Sequence, residues 1–259
     1  MSDRRIYVDI DDVLSRTVES LIDLLERLHD RRVAVDDCRH FDLRRSFALD
    51  DEALARFMDH AHADEMIESI VPVEGAGRVL ERWTAAGGRV TLVTGRPPIT
   101  REASLRWLEN HGVPHHELHH LDKWSRPSWN EQGLPALRFE QIGELGFEFA
   151  VEDSLETAVR LIEEFEIPVA LMDRPWNREV DGLPRRTRSD LVRCRGWEEV
   201  DRTFGIVDAS SGPARGHRGG AGRRDGAGRL DRAGQREAAG GRRAGGRAGG
   251  HEGGKESNR

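Results

Sequence analysis

Short apolar runs alternate with longer amphipathic stretches through most of this chain, and that alternation is the strongest constraint on its fold. Residues 5–10 (RIYVDI), 89–93 (RVTLV), 147–151 (FEFAV) and 169–172 (VALM) read as short buried strands. Residues 116–121 read as a further strand, although the interior of that run is rich in histidine. Helical spacing fills the intervals. Val79, Leu80 and Trp83 recur within residues 73–86, which stop at Gly87. Leu105 and Leu108 lie within 99–110, Phe139–Leu145 forms a short helix, and Leu155, Ala158, Val159, Ile162 and Phe165 mark 154–166. Strands that alternate with helices imply a parallel sheet covered on both faces. The expected fold is therefore α/β, a Rossmann-like parallel sheet, with ligands at the carboxyl ends of its strands.

One interval is too long for a simple crossover. About 80 residues separate the first two strands, against the dozen or more that a parallel connection needs. Ser15 is placed to cap a helix over 16–29 with Val18, Leu21, Ile22, Leu25 and Leu28 on one face. Asp50 or Asp51 can cap a second, to about residue 62, with Leu54, Phe57 and Met58 inside. Residues 15–70 are expected to form a small helical cap inserted after the first strand. Residues 1–14 and 71–204 then make the core domain.

The last 55 residues are a different material. Residues 205–259 hold 17 of the 28 glycines, in repeated GGR and AGR words, and almost no branched apolar side chains. Such a segment cannot bury enough surface to offset its chain entropy, so a disordered Gly/Arg-rich tail is expected. It carries 12 Lys/Arg and 6 Asp/Glu, leaving 28 Lys/Arg and 41 Asp/Glu for residues 1–204. The acidic core argues against a broad nucleic-acid-binding face there. A plain solvated appendage is the favoured explanation; a basic tail that touches nucleic acid or another anionic partner is the alternative, and a frame-shifted end of a GC-rich reading frame would look similar.

No apolar run reaches the roughly 18 residues of a membrane span, so no membrane contact is expected. The opening MSDRRIYVDI lacks the apolar core of a signal peptide, and a cytoplasmic location is expected. Cys38 and Cys194 form neither a CxxC site nor a disulfide framework, which suits reduced thiols.

Three polar motifs close three of the expected strands. Asp9-Ile10-Asp11-Asp12 follows the first. Carboxylates so close repel one another unless a proton or cation joins them, and a hard cation such as Mg2+ suits oxygen-only ligands. A polar turn with Asp12 as a helix cap would use the same residues. Thr94-Gly95-Arg96-Pro97 follows the second, where a hydroxyl and turn N–H groups can meet a phosphate. A plain turn is the simpler alternative. Glu152-Asp153-Ser154 follows the fourth and offers a further carboxylate, or an N-cap. Unrelated turns would not place all three on one rim of a parallel sheet. The histidines at 111, 115, 116, 119 and 120 could bind zinc, but no cysteine is near, and a polar edge strand explains them more cheaply.

On these motifs, residues 5–173 resemble the haloacid dehalogenase-like phosphohydrolase superfamily. The VDIDDVLS and VEDS segments and Asp173-Arg174-Pro175-Trp176-Asn177 are similar to its bacterial 5′(3′)-deoxyribonucleotidase-like branch. The resemblance implies a Mg2+-dependent phosphomonoester hydrolase. Asp9 would be the nucleophile and form an aspartyl-phosphate, and Asp11 the acid–base partner. Thr94, Gly95 and a Lys or Arg would bind the phosphate. Asp9, Asp153 and Asp11, the last through its backbone carbonyl, would hold the metal. Lys123 is the first choice for the cation, with Arg138 and Arg101 as rivals. An aspartate at Asp11 favours phosphatase over dehalogenase chemistry. A nucleoside monophosphate is the expected substrate. Alternatives are a sugar-phosphate or phosphoglycolate phosphatase, and a non-catalytic nucleotide-binding regulatory protein. Phe41, Phe47 and Phe57 of the cap are candidates to stack on a base, or simply to fill the cap. The oligomeric state is left open.

Overall fold

A computed structural model describes residues 4–123 and 129–206. The expected tail lies outside these residues from position 207 onward. Strands β1 (Arg5–Val8), β2 (Arg89–Thr94), β3 (Glu117–His120), β4 (Phe149–Glu152), β5 (Val169–Met172) and β6 (Leu191–Cys194) form one sheet. All pairs are parallel, in the order β3-β2-β1-β4-β5-β6. The order turns back on either side of β1. The first connection runs to β2, while the chain leaving β3 crosses to β4 on the other side. This topological switch point is where open parallel sheets bind ligands.

Between β1 and β2 lie helices α1 (Thr17–His29), α2 (Leu43–Phe47), α3 (Asp51–Ala61) and α4 (Asp64–Glu68). Four of the cluster's buried side chains, Leu21, Leu25, Phe47 and Phe57, show that this segment has an apolar core of its own. Asp50 caps α3, accepting from the Ala53 N–H at 2.8 Å. Ser15 does not cap α1. Its hydroxyl donates to the Ile10 carbonyl, and the Asp12 carboxylate takes the Val18 N–H instead. The turn after β1 is tight enough to bring Asp12, three residues earlier, to the helix end.

Side chains of β1 alternate between two layers, as period 2 requires. Ile6 and Val8 join Val90, Leu92 and Val151 under α5 (Ala76–Ala85), α6 (Arg101–Asn110) and a C-terminal helix at Trp197–Phe204. Tyr7 joins Val93, Ala150 and Leu171 under α7 (Leu155–Phe165) and the 3-10 turns of Phe139–Leu145. The remaining helix, α8 (Arg185–Asp190), leads into β6, and Trp197–Phe204 is α9. Strand β6 was not expected from the sequence: its run, LVRC, is half-buried at the sheet edge and carries Arg193. Phe204 stacks on Phe149 with ring centroids 5.1 Å apart, and Ile206 packs on the same layer, two residues past the expected end of the core. Among the described residues no helix is long and apolar enough to cross a membrane.

Candidate active site

Asp9 is the first residue beyond β1, and its N–H donates to the Val151 carbonyl of β4 at 3.0 Å. That bond fixes its side chain at the switch point, where it is buried. The chain then wraps around one carbonyl. The N–H groups of Val13, Leu14 and Ser15 all point at the oxygen of Ile10. Asp12 takes a left-handed conformation, φ 55°, which an aspartate tolerates better than most side chains.

Lys123 follows β3 and reaches under this turn. Its Nζ lies 3.1 Å from Asp9 Oδ1 and closer still to Glu152 Oε1. The contact with Asp9 is electrostatic: Oδ1 is buried and accepts no hydrogen bond among the described residues. Glu152 is fully engaged. Its Oε1 also accepts from the Tyr7 hydroxyl at 2.8 Å, and its Oε2 from the N–H groups of Asp153 and Ser154, both at 3.1 Å. Asp9, Glu152 and Asp153 each present an oxygen within 4.8 Å of the others. With Glu152 committed to Lys123 and Tyr7, Asp9 and Asp153 are the carboxylates suited to a cation. A buried acceptor without a donor, in an oxygen-only cluster, fits a hard divalent ion such as Mg2+.

The Asp11 carboxylate is outside that cluster. Arg96 Nη2 donates to Oδ1 at 2.7 Å, Arg96 Nε lies 3.0 and 3.2 Å from its two oxygens, and Thr17 Oγ1 donates at 2.7 Å. In this arrangement the Asp11 side chain is engaged by Arg96 and Thr17 and lies outside the acidic cluster. Thr94 is buried at the end of β2 with Oγ1 3.5 Å from Asp11 Oδ2, and it accepts the Arg96 N–H at 3.2 Å. Gly95 lines the same cavity as Lys123 and Arg96. Arg101 and Arg138 do not line it. Arg101 instead donates to the Leu118 carbonyl at 2.9 Å.

Electrostatics follow from burial. Desolvation pushes the Asp9 carboxyl well above its ordinary range, with Lys123 opposing and Glu152 and Asp153 reinforcing. Asp153 is likewise raised by burial and by Glu152. Burial also disfavours the Lys123 ammonium, but Asp9 and Glu152 outweigh it and hold the charge on. For Asp11 burial is again the largest influence, yet the Arg96 guanidinium and its hydrogen bonds, with Thr17, leave the carboxyl below its usual range. Asp12, buried beside two other carboxylates, is pushed up to about 7.

A cavity of about 620 Å3 opens above these groups, with Asp9, Lys123 and Arg96 at its base and Phe41, Leu54 and Met58 among its cap-side walls. That size suits a small organic ligand. The three cap phenylalanines separate here. Phe47 and Phe57 are buried edge-to-face, 5.6 Å apart, whereas Phe41 is 43% exposed and lines the cavity.

Several site residues had no assigned part in the sequence reading. Arg96 was visible only as the residue after Thr94-Gly95, and Tyr7 only as a strand residue. In the segment after β5, Asn177 donates to the carbonyls of Asp153 and Met172, both at 2.7 Å. Arg174 Nε donates to the Asp12 carbonyl at 3.0 Å. These contacts tie the segment quoted for the resemblance to the turns after β1 and β4.

The chain is similar to several known proteins. Residues 4–123 match the model of a family described as "5' nucleotidase, deoxy (Pyrimidine), cytosolic type C protein". The chain is 26% identical over 197 residues to a "Putative nucleotidase" of Halalkalibacterium halodurans, covering 76% of this chain and 90% of that one. A solved "predicted phosphatase" from Clostridium acetobutylicum shares the fold at 11% identity and a TM-score of 0.52, over 79% of this chain and 99% of that one. A "Putative Phosphatase" from Clostridium difficile does so at 10% identity and a TM-score of 0.51, over 80% and 100%.

Proposed function

We propose that this chain, which is a haloacid dehalogenase-like phosphohydrolase resembling the 5′(3′)-deoxyribonucleotidases, hydrolyses nucleoside monophosphates through an aspartyl-phosphate on Asp9. The observation that carries this reading is the buried, undonated Oδ1 of Asp9 at the switch point, beside Lys123 and Asp153. Asp9, Asp153 and the backbone carbonyl of Asp11 would hold Mg2+, whose charge offsets repulsion between carboxylate and phosphate.

Asp9 attacks phosphorus, and the bond to the ester oxygen breaks. Asp11, which must first take up a proton when substrate binds, gives that proton to the leaving alkoxide, then takes one from the water that attacks the aspartyl-phosphate and frees inorganic phosphate. Lys123, Thr94 and the turn at Gly95 hold the other phosphate oxygens, so positioning and charge neutralisation supply most of the acceleration. Arg96 and Thr17 hold the Asp11 carboxylate in a fixed place beside the cavity.

The nucleoside would lie in the cavity under the cap, with its base against Phe41. The test is a panel of nucleotides, sugar phosphates and phosphoglycolate. Nucleotides should give the higher kcat/KM, and Phe41→Ala should lower it more for nucleotides than for p-nitrophenyl phosphate. A preference of about tenfold or more for sugar phosphates or phosphoglycolate, about 1.4 kcal/mol of transition-state binding, would contradict the substrate assignment. An absence of turnover across the panel would favour a binding protein.

A further inference from the structure

Trp176 touches both halves of the site. Its indole Nε1–H donates to Asp153 Oδ2 at 2.8 Å. Its ring packs against the apolar cluster of the cap, whose buried members include Leu21, Leu25 and Phe47, and it also lines the cavity. It is held there by its neighbours: Asn177 is buried and bonded to two carbonyls, and Arg193 Nη2 donates to the Asn177 carbonyl at 2.6 Å. One side chain thus bridges a carboxylate of the acidic cluster and the core of the inserted helices.

We propose that Trp176 is a positioning residue that orients Asp153 for the divalent cation and passes occupancy of that site to the cap. A carboxylate with one oxygen fixed by a rigid donor has lost most of its rotational freedom, and its other oxygen is aimed. Donors of this kind, behind the ligand, commonly contribute 10- to 100-fold in metal affinity, by order of magnitude. The donor sits on a ring packed against the cap cluster, so a movement of Asp153 toward a cation shifts that ring against the cluster. The proposal rests on the assignment of Asp153 as a Mg2+ ligand.

The experiment is Mg2+ titration by calorimetry of the wild-type chain, Asp153→Asn, Trp176→Phe and Trp176→Leu, without substrate. Hydrogen exchange of residues 33–47 is followed with and without Mg2+. Both tryptophan variants lack the donor, and either suffices if the other folds poorly. Asp153→Asn should lose measurable binding, and the tryptophan variants should bind about tenfold more weakly. Mg2+ should slow exchange in the cap of the wild type but not in Trp176→Phe at saturating cation. Wild-type affinity in Asp153→Asn would remove the cation assignment itself. Impaired Asp153→Asn with unchanged tryptophan variants would overturn the role of Trp176 alone, and equal slowing of exchange in Trp176→Phe would overturn its link to the cap.

Discussion

Arg96 grips Asp11 with two of its nitrogens, Nε at 3.0 Å and Nη2 at 2.7 Å, and is itself buried. A planar fork of this kind fixes both the position and the plane of a carboxylate, which a lysine cannot do. Arg96→Met should therefore lower kcat while leaving KM nearly unchanged, because the group that moves protons is loosened and the phosphate contacts stay. General acid–base catalysis is worth about 100- to 10,000-fold, which bounds the loss, and about 10- to 100-fold is expected. Arg96→Lys should recover only part of it. Steady-state kinetics with a nucleotide would check this.

Lys123 should be the residue least tolerant of neutral replacement. It is buried between Asp9 and Glu152, so Lys123→Met leaves two carboxylates facing each other without a counter-charge. Breaking a buried pair in this way costs about 3–5 kcal/mol. Denaturant unfolding should show a loss of that order, and turnover should vanish. Arg101→Ala and Arg138→Ala, away from the cavity, should retain activity.

The pattern that places Asp9, Thr94 and Asp153 together was legible because parallel strands bring their carboxyl ends to one rim, so order along the chain becomes adjacency in space. The same logic made Lys123 the first choice, with Arg138 and Arg101 as rivals, because it follows β3, and its Nζ lies 3.1 Å from Asp9 Oδ1. That choice depends on which cation the loop after β3 turns inward. Arg96, seen only as a turn residue, and Trp176, seen only within the segment quoted for the resemblance, had no role assigned for a related reason. Each acts through a long side chain whose direction is set by packing, and neither sits at a distinctive spacing. Ser15 misled the reading because local propensity favours serine as a cap, whereas the tight turn at Asp12 delivered a better acceptor. Strand β6 was hidden by Arg193, whose charge is satisfied by Asp173 at 2.9 Å.

Asp12 gives a pH signature. Its carboxyl titrates at about 7 in the fold, against about 4 in the unfolded chain. A raised carboxyl favours the protonated fold, so its contribution is complete below about pH 4 and is lost as pH rises through 7. Asp12→Asn keeps an oxygen for the Val18 N–H and tolerates the left-handed turn, but has no charge to bury. In EDTA, the stability of Asp12→Asn relative to wild type should grow between pH 5 and 8, by an amount on the order of a few kcal/mol. Thermal melts across that range would show it, and a difference independent of pH would contradict it.

The nucleophile is tested most directly by quenching turnover in acid with substrate labelled at phosphorus and Mg2+ present, then mapping the label by peptide. An acid-stable, hydroxylamine-labile label should sit on the peptide that carries Asp9, and Asp9→Asn should show neither label nor turnover. A label on another residue, or near wild-type hydrolysis by Asp9→Asn, would contradict the mechanism.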